Sequence, residues 1–192
     1  MSTSRDLTIK EVTDEYLDSI NVKCPPNPAD IAGDILANTR VAFDIHNAVA
    51  SKDTQWRIQN RLLPIQIADI MVKLYPIAMI HSRKHSSFYP VLGVYQEDGE
   101  DKGIYVTDKY KIWRIAAEFC YGLTKWERSE IFANLEETAP KIWLCEESYL
   151  VAMNNGIYDK DADRLMPFTP DLVFLKKSDE DYNPNSDEML CE

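Results

Sequence analysis

The stretch TDKYKIWRIAAEFCYGLTKWERSEIFANLEETAP, residues 107–140, carries the clearest local pattern in the chain. Ile112, Ile115, Ala116, Phe119 and Cys120 fall at i, i+3, i+4, i+7 and i+8, which lines apolar side chains along one helical face. Thr107-Asp108 supplies a start, and Gly122 suits a C-terminal cap, where a left-handed backbone is wanted. Thr124-x-x-Glu127 is a capping box. A second helix with Ile131, Phe132 and Leu135 then runs until Pro140. The stretch therefore predicts two helices joined by a tight turn.

Different patterns lie on either side of this pair. Residues 88–95 (FYPVLGVY) and 103–106 (GIYV) are rich in aromatic and β-branched residues and predict short strands. The polar loop 96–102 between them predicts a hairpin, with Pro90 on an edge strand or at its start. Further on, Leu150-Val-Ala-Met153 and Ile157-Tyr158 predict strands around an Asn155-Gly156 turn, since both residues tolerate positive φ. Upstream, the chain reads as helical to about residue 75. Thr8-x-x-Glu11 is a capping box ahead of Ile9, Val12, Tyr16 and Ile20. Asn27-Pro28 is a second start, followed by a stripe of Ile31, Ile35, Ala42, Ile45 and Val49. A third stretch from Trp56 to Leu74 should be kinked or split by Pro64. The expected class is α+β, mostly helical, with short antiparallel hairpins in the C-terminal half. The expected organisation is a helical region over 1–75, a mixed domain over 76–178 and an acidic tail over 179–192.

A chain of 192 residues, 45% hydrophobic and 10% aromatic, is long enough to bury a core. No apolar run approaches a membrane span, and the first residues lack a secretion signal, so a cytoplasmic protein with no membrane partner is expected. Cys24, Cys120, Cys145 and Cys191 lie far apart without a C-x-x-C pair, which argues against structural zinc. The net charge of -11 opposes coating nucleic acid through a global field. The tail after Ser178 holds -6 of it, leaving -5 for the rest.

Motifs for catalysis are missing. None of the six glycines is followed by lysine, so there is no phosphate-cradling G-x-x-x-x-G-K-[ST] turn, and G-x-G-x-x-G is absent too. His81 and His85 are four apart but enclose a cationic Ser-Arg-Lys rather than the Glu of a metalloprotease helix, and a surface segment is the expectation. His46 reads as a structural histidine. Asp159, Asp161 and Asp163 alternate like the start of a calcium loop, but Arg164 and Pro170 stand where it requires Gly and Glu. No G-x-S-x-G elbow is present. No catalytic residue, cofactor or metal is expected.

What the hairpin at 107–140 does carry is charge. Over residues 107–129, Lys109, Lys111, Arg114, Lys125 and Arg128 stand against Asp108, Glu118 and Glu127, an excess of +2 in an acidic chain, which Glu130, Glu136 and Glu137 turn to -1 over the whole of 107–140. These five residues are candidates for DNA contact through a helix-turn-helix, set against a hairpin that only packs.

The residues Asn155, Gly156, Asp159, Leu165, Pro167, Thr169, Pro170, Tyr182, Asn183 and Pro184 form an ordered series: an Asn-Gly turn, an acidic residue, Leu-x-Pro-x-[ST]-Pro, and a Tyr-Asn-Pro close. This order resembles the poxvirus, phage and plasmid primase-helicase family, in the region preceding its superfamily-three helicase. Val94-Tyr95, Gly103-Ile-Tyr105 and the helical pair resemble its upstream arrangement. The likeness covers roughly the last 120 residues. It implies architecture, with no catalytic group to carry over. In relatives this region joins a priming part to a ring-forming ATPase. The resemblance thus implies a non-catalytic fragment or subunit of a replication protein that positions the helicase ring or its DNA. Its expected partners are a helicase motor domain or subunit and DNA, and a homo-oligomer is compatible with it. The motor would be either missing from a truncated product or encoded separately. The alternatives are a freestanding phage protein that binds a host factor through the acidic tail, and a helix-turn-helix DNA-binding regulator.

Overall fold

The computed structural model of the protein describes residues 3–184, so the end of the expected acidic tail, with Cys191, lies outside the described residues. The architecture is α+β, and the chain forms two compact units. One comprises Met1–Tyr75 and Lys109–Ala139, the other Pro76–Asp108 and Pro140–Glu192. The helical pair at 109–139 thus belongs with the N-terminal helices, and the strands on either side of it in sequence belong together.

The first unit contains α1 (Ser4–Ser19), α2 (Pro28–Val49), α3 (Pro64–Leu74), α4 (Lys109–Phe119) and α5 (Lys125–Thr138). α1 starts earlier than its expected capping box. Thr3 and Asp6 form the box, and the Thr8 hydroxyl instead donates to Ser4 O. Its buried line is Ile9, Thr13 and Leu17, which leaves Val12 and Tyr16 half-buried. Asn27 caps α2 with Pro28 in the first turn, as expected. The buried line of α2 follows Ile31, Ile35, Thr39 and Phe43, however, and the expected stripe fails at its end, with Ile45 and Val49 68% and 88% exposed. Pro64 begins α3 rather than kinking a longer helix, because a proline lacks only an N–H that the first turn would leave unpaired. Residues 55–63 before it are not helical. α4 and α5 form as expected, with Gly122 at φ +73° and the Thr124–Glu127 capping box in place. α3 packs on α5 and α1.

One polar pair lies inside this helical core. Gln66 is buried; its Nε2 donates to Thr13 Oγ1 at 3.0 Å, and its Oε1 accepts from Leu63 N at 3.0 Å. A buried amide satisfied in this way avoids the penalty of an orphaned donor.

The second unit contains β1 (Ile77–His81), β2 (Val91–Tyr95), β3 (Tyr105–Val106), β4 (Lys141–Trp143), β5 (Leu150–Met153), β6 (Gly156–Asp159) and β7 (Arg164–Met166). A four-stranded sheet has the order β3-β2-β1-β4, antiparallel except for the parallel pair β1 and β4. Its outer strands meet the same returning segment. Leu144 bridges Val173, Cys145 N donates to Val173 O at 2.9 Å, and Tyr105 N donates to Phe174 O at 2.8 Å. The sheet is thereby closed around Ala78, Ile80, Tyr95, Tyr105 and Val173. Strands β5-β6-β7 form a separate antiparallel meander.

The turn between β5 and β6 differs from its expected chemistry. Met153 pairs with Gly156, so Asn154 and Asn155 form the loop and Gly156 is already in the strand, without positive φ. Glycine is needed there for space, since a Cβ would lie 2.5 Å from Met166 O.

Candidate nucleic-acid interface

All five cationic candidates lie on the α4–α5 hairpin of the helical unit. Lys109, Lys111, Arg114 and Lys125 are exposed, and Arg128 is half-buried. Two of them lie over aromatic rings. The Arg128 guanidinium sits 5.3 Å from the Trp113 ring and the Lys109 ammonium 5.2 Å from that of Phe132. Trp113 meets Phe132 edge-on at 6.2 Å and Tyr110 at 5.1 Å. An open cleft of about 400 Å³ runs along this side, lined by Tyr110, Trp113, Arg114, Tyr121, Leu123 and Arg128. The indole Nε1 of Trp113 is buried and finds no hydrogen-bond partner among the described residues.

The aromatic side chains were not among the candidates read from sequence. Tyr110, Trp126 and Tyr121 are 70%, 65% and 98% exposed. The signal was available: Tyr110, Trp113 or Arg114, Ala117 and Tyr121 recur at helical spacing on the face opposite Ile112, Ala116 and Phe119. Of the nearby acids, Glu127 is committed to the cap. It accepts from Thr124 N and Oγ1, both at 2.8 Å, and pairs with Arg61 at 3.4 Å. The Thr124 backbone hydrogen bond is the main reason its carboxyl lies below the ordinary range.

In a helix-turn-helix reading, the second helix lies in a DNA groove. α5, the helix that would enter it, buries Ile131, Phe132 and Leu135 and exposes Glu136 and Glu137 along its second half. Those carboxylates would face phosphate. Lys125, Trp126 and Arg128 lie at the start of α5, and Lys109, Tyr110, Lys111, Trp113 and Arg114 on α4.

The ordered motif of the second unit converges in space. The Asn155 amide brackets one residue of the closing segment: Nδ2 donates to Tyr182 O and Tyr182 N donates to Oδ1, both at 3.0 Å. Asn154 Nδ2 donates to Asp181 Oδ1 at 2.9 Å, and its N–H donates to Glu180 O at 3.0 Å. Tyr158 and Tyr182 stack at 4.3 Å and both hydroxyls donate to Asp163 Oδ1, at 2.8 and 3.0 Å. Asp159 Oδ1 accepts from Asp161 N and Ala162 N, an Asx turn with Asp163 left-handed at φ +45°. Pro170 O accepts from the Tyr105 hydroxyl at 3.2 Å. Leu165, Pro167 and Pro184 are exposed. These contacts shape the backbone.

The remaining candidates have structural surroundings. His81 is in β1, tilted against Trp143 at 5.3 Å, whereas His85 is on the loop that follows, so they share no helical face. Glu146 accepts from the Ser82 hydroxyl and from Arg83 N and Lys84 N, tying that loop down. His46 stacks on Trp56 at 3.6 Å. Among the described residues, no group of three or more His, Cys, Asp or Glu is placed to hold a metal ion. No described helix is long and apolar enough to cross a membrane. No family model matches the chain, and no curated protein matches it.

Proposed function

We propose that this chain is a non-catalytic module of a replication apparatus of the primase-helicase kind, which holds DNA for a ring-shaped motor rather than hydrolysing nucleotide itself. The observation that carries the reading is the α4–α5 hairpin, where Arg114 and Arg128 line one cleft with the exposed rings of Tyr110 and Tyr121, and where Lys109, Lys111 and Lys125 are exposed. Local cations of this kind contact phosphates even when the whole molecule is acidic, with affinity that falls steeply with salt. The convergence of Asn155 and Tyr182, at opposite ends of the ordered motif, agrees with those residues forming one architectural unit. The absence of a phosphate-cradling glycine turn leaves ATP chemistry to a partner.

The test is fluorescence anisotropy with labelled oligonucleotides between about 50 and 200 mM salt, alongside a nucleotide-hydrolysis assay. Binding should weaken with salt, and replacing Lys109, Lys111 and Arg114 together by Ala should flatten the log–log salt slope by about 2 to 3. Nucleotide turnover by the purified chain, or indifference to every oligonucleotide offered, would overturn the proposal.

A further inference from the structure

We propose that the α4 face and its turn form a stacking platform for single-stranded nucleic acid, with Tyr121 and Trp126 as base-stacking side chains and Arg114 as a backbone contact. The inference rests on the DNA-holding reading and sharpens it to a substrate class. Three observations separate a single strand from a duplex. First, large rings stand outward where burial would be expected: Tyr121 is 98% exposed and Trp126 65%. Exposed rings cannot insert into an intact stack without unstacking it, but they offer a π-face to bases that are already unpaired. Second, cations accompany the rings. Arg114 and Arg128 line the same cleft as Tyr110, Trp113 and Tyr121, so phosphate neutralisation and stacking occur along one path. Third, the groove-reading alternative meets Glu136 and Glu137 on the exposed side of α5.

Tyr121 follows α4 directly before the Gly122 turn at φ +73°, and Trp126 lies in the first turn of α5 behind the Thr124 cap. Stacking of this sort is tolerant of base identity, because every base has a π-face. The expected ligand is therefore an unstructured strand of any sequence, with DNA or RNA sugar.

The experiment titrates the full chain against labelled oligo(dT), oligo(rU) and a duplex of equal length, with poly-glutamate as competitor. Single strands should bind about tenfold or more tighter than duplex, and Tyr121→Ala and Trp126→Ala should each weaken single-strand binding about fivefold or more. Tyr121→Phe, which keeps the ring, should restore it. Circular dichroism should be unchanged in all three variants, since both side chains are exposed. Equal or tighter duplex binding, or full affinity in Tyr121→Ala, would overturn the platform while leaving the DNA-holding function standing. Binding to neither form would overturn both. Displacement by poly-glutamate at matching charge would point to an acidic polypeptide as the occupant and sink the proposal.

Discussion

Tyr105 is buried in the closed sheet, and its hydroxyl donates to Pro170 O at 3.2 Å. Burial pushes this phenol up to about 12. Tyr16 reaches about 12 for the same first reason, reinforced by its hydrogen bond to Asp34, and Tyr158 reaches about 12 chiefly through its hydrogen bond to Asp163. Each phenol would ionise near 10 in the unfolded chain, so the unfolded state sheds protons first as pH rises. The stabilisation is complete below about pH 10 and drains away between about 10 and 12. Urea midpoints at pH 8 and 11 should therefore differ, and Tyr105→Phe should show a smaller difference from a lower starting value. A pH-independent midpoint would contradict this assignment. Residue-scale features of this kind were only partly legible. Gly156 was recognised as special, but for a turn dihedral, whereas the deciding quantity is the distance from a Cβ to Met166 O. Sequence alone does not reveal which backbone passes overhead. Gly103 is similar: its φ of +89° and the Phe168 ring that an added Cβ would strike depend on a segment far along the chain.

At the scale of elements, α4 and α5 were readable because each carries its own caps and a consistent apolar face. α1 was misread by one step of its helix because a threonine occupies the core line. Thr13 is buried to receive Gln66, a pairing that hydrophobic periodicity does not register. Thr13→Val should cost about 1–3 kcal/mol in chemical denaturation, since it strands the Gln66 Nε2 donor. Thr39→Val should cost less, because the buried Thr39 hydroxyl only doubles a helical carbonyl contact at Ile35 O. Equal losses would mean that the Thr13–Gln66 bond contributes nothing specific. β1 escaped the reading for another reason. It pairs on both sides, and Ile77-Ala-Met-Ile80 reads as an unbroken apolar run rather than an alternation. The candidate site was half legible: its cations were visible as charge, but its rings had been passed over, because an aromatic residue next to a core position is ordinarily counted as core.

For the whole molecule, residues 173–174 meet both outer edges of the four-stranded sheet: Val173 pairs just beyond the end of β4, and Phe174 accepts from Tyr105 in β3. The latter contact links positions about 70 residues apart, Tyr105 and Phe174, which local patterns cannot foresee. The two-unit organisation has its own reach. α3, formed from the first stretch, rests on α5, whose residues come after three strands of the other unit. A chain leaving the ribosome therefore makes α1 to α3 long before their cover exists, and Ile67, Ile70 and Met71 wait in contact with water. Residues 1–75 expressed alone should bind a hydrophobic dye and lack a cooperative melt, whereas residues 1–139 should regain protection of α3 amides in hydrogen exchange. A sharp thermal transition in the shorter piece would show that its helices need no such cover. If they do need it, a ribosome stalled anywhere before Ala139 holds a sticky, half-roofed bundle, and the quality-control burden of this protein falls on synthesis rather than on the finished molecule.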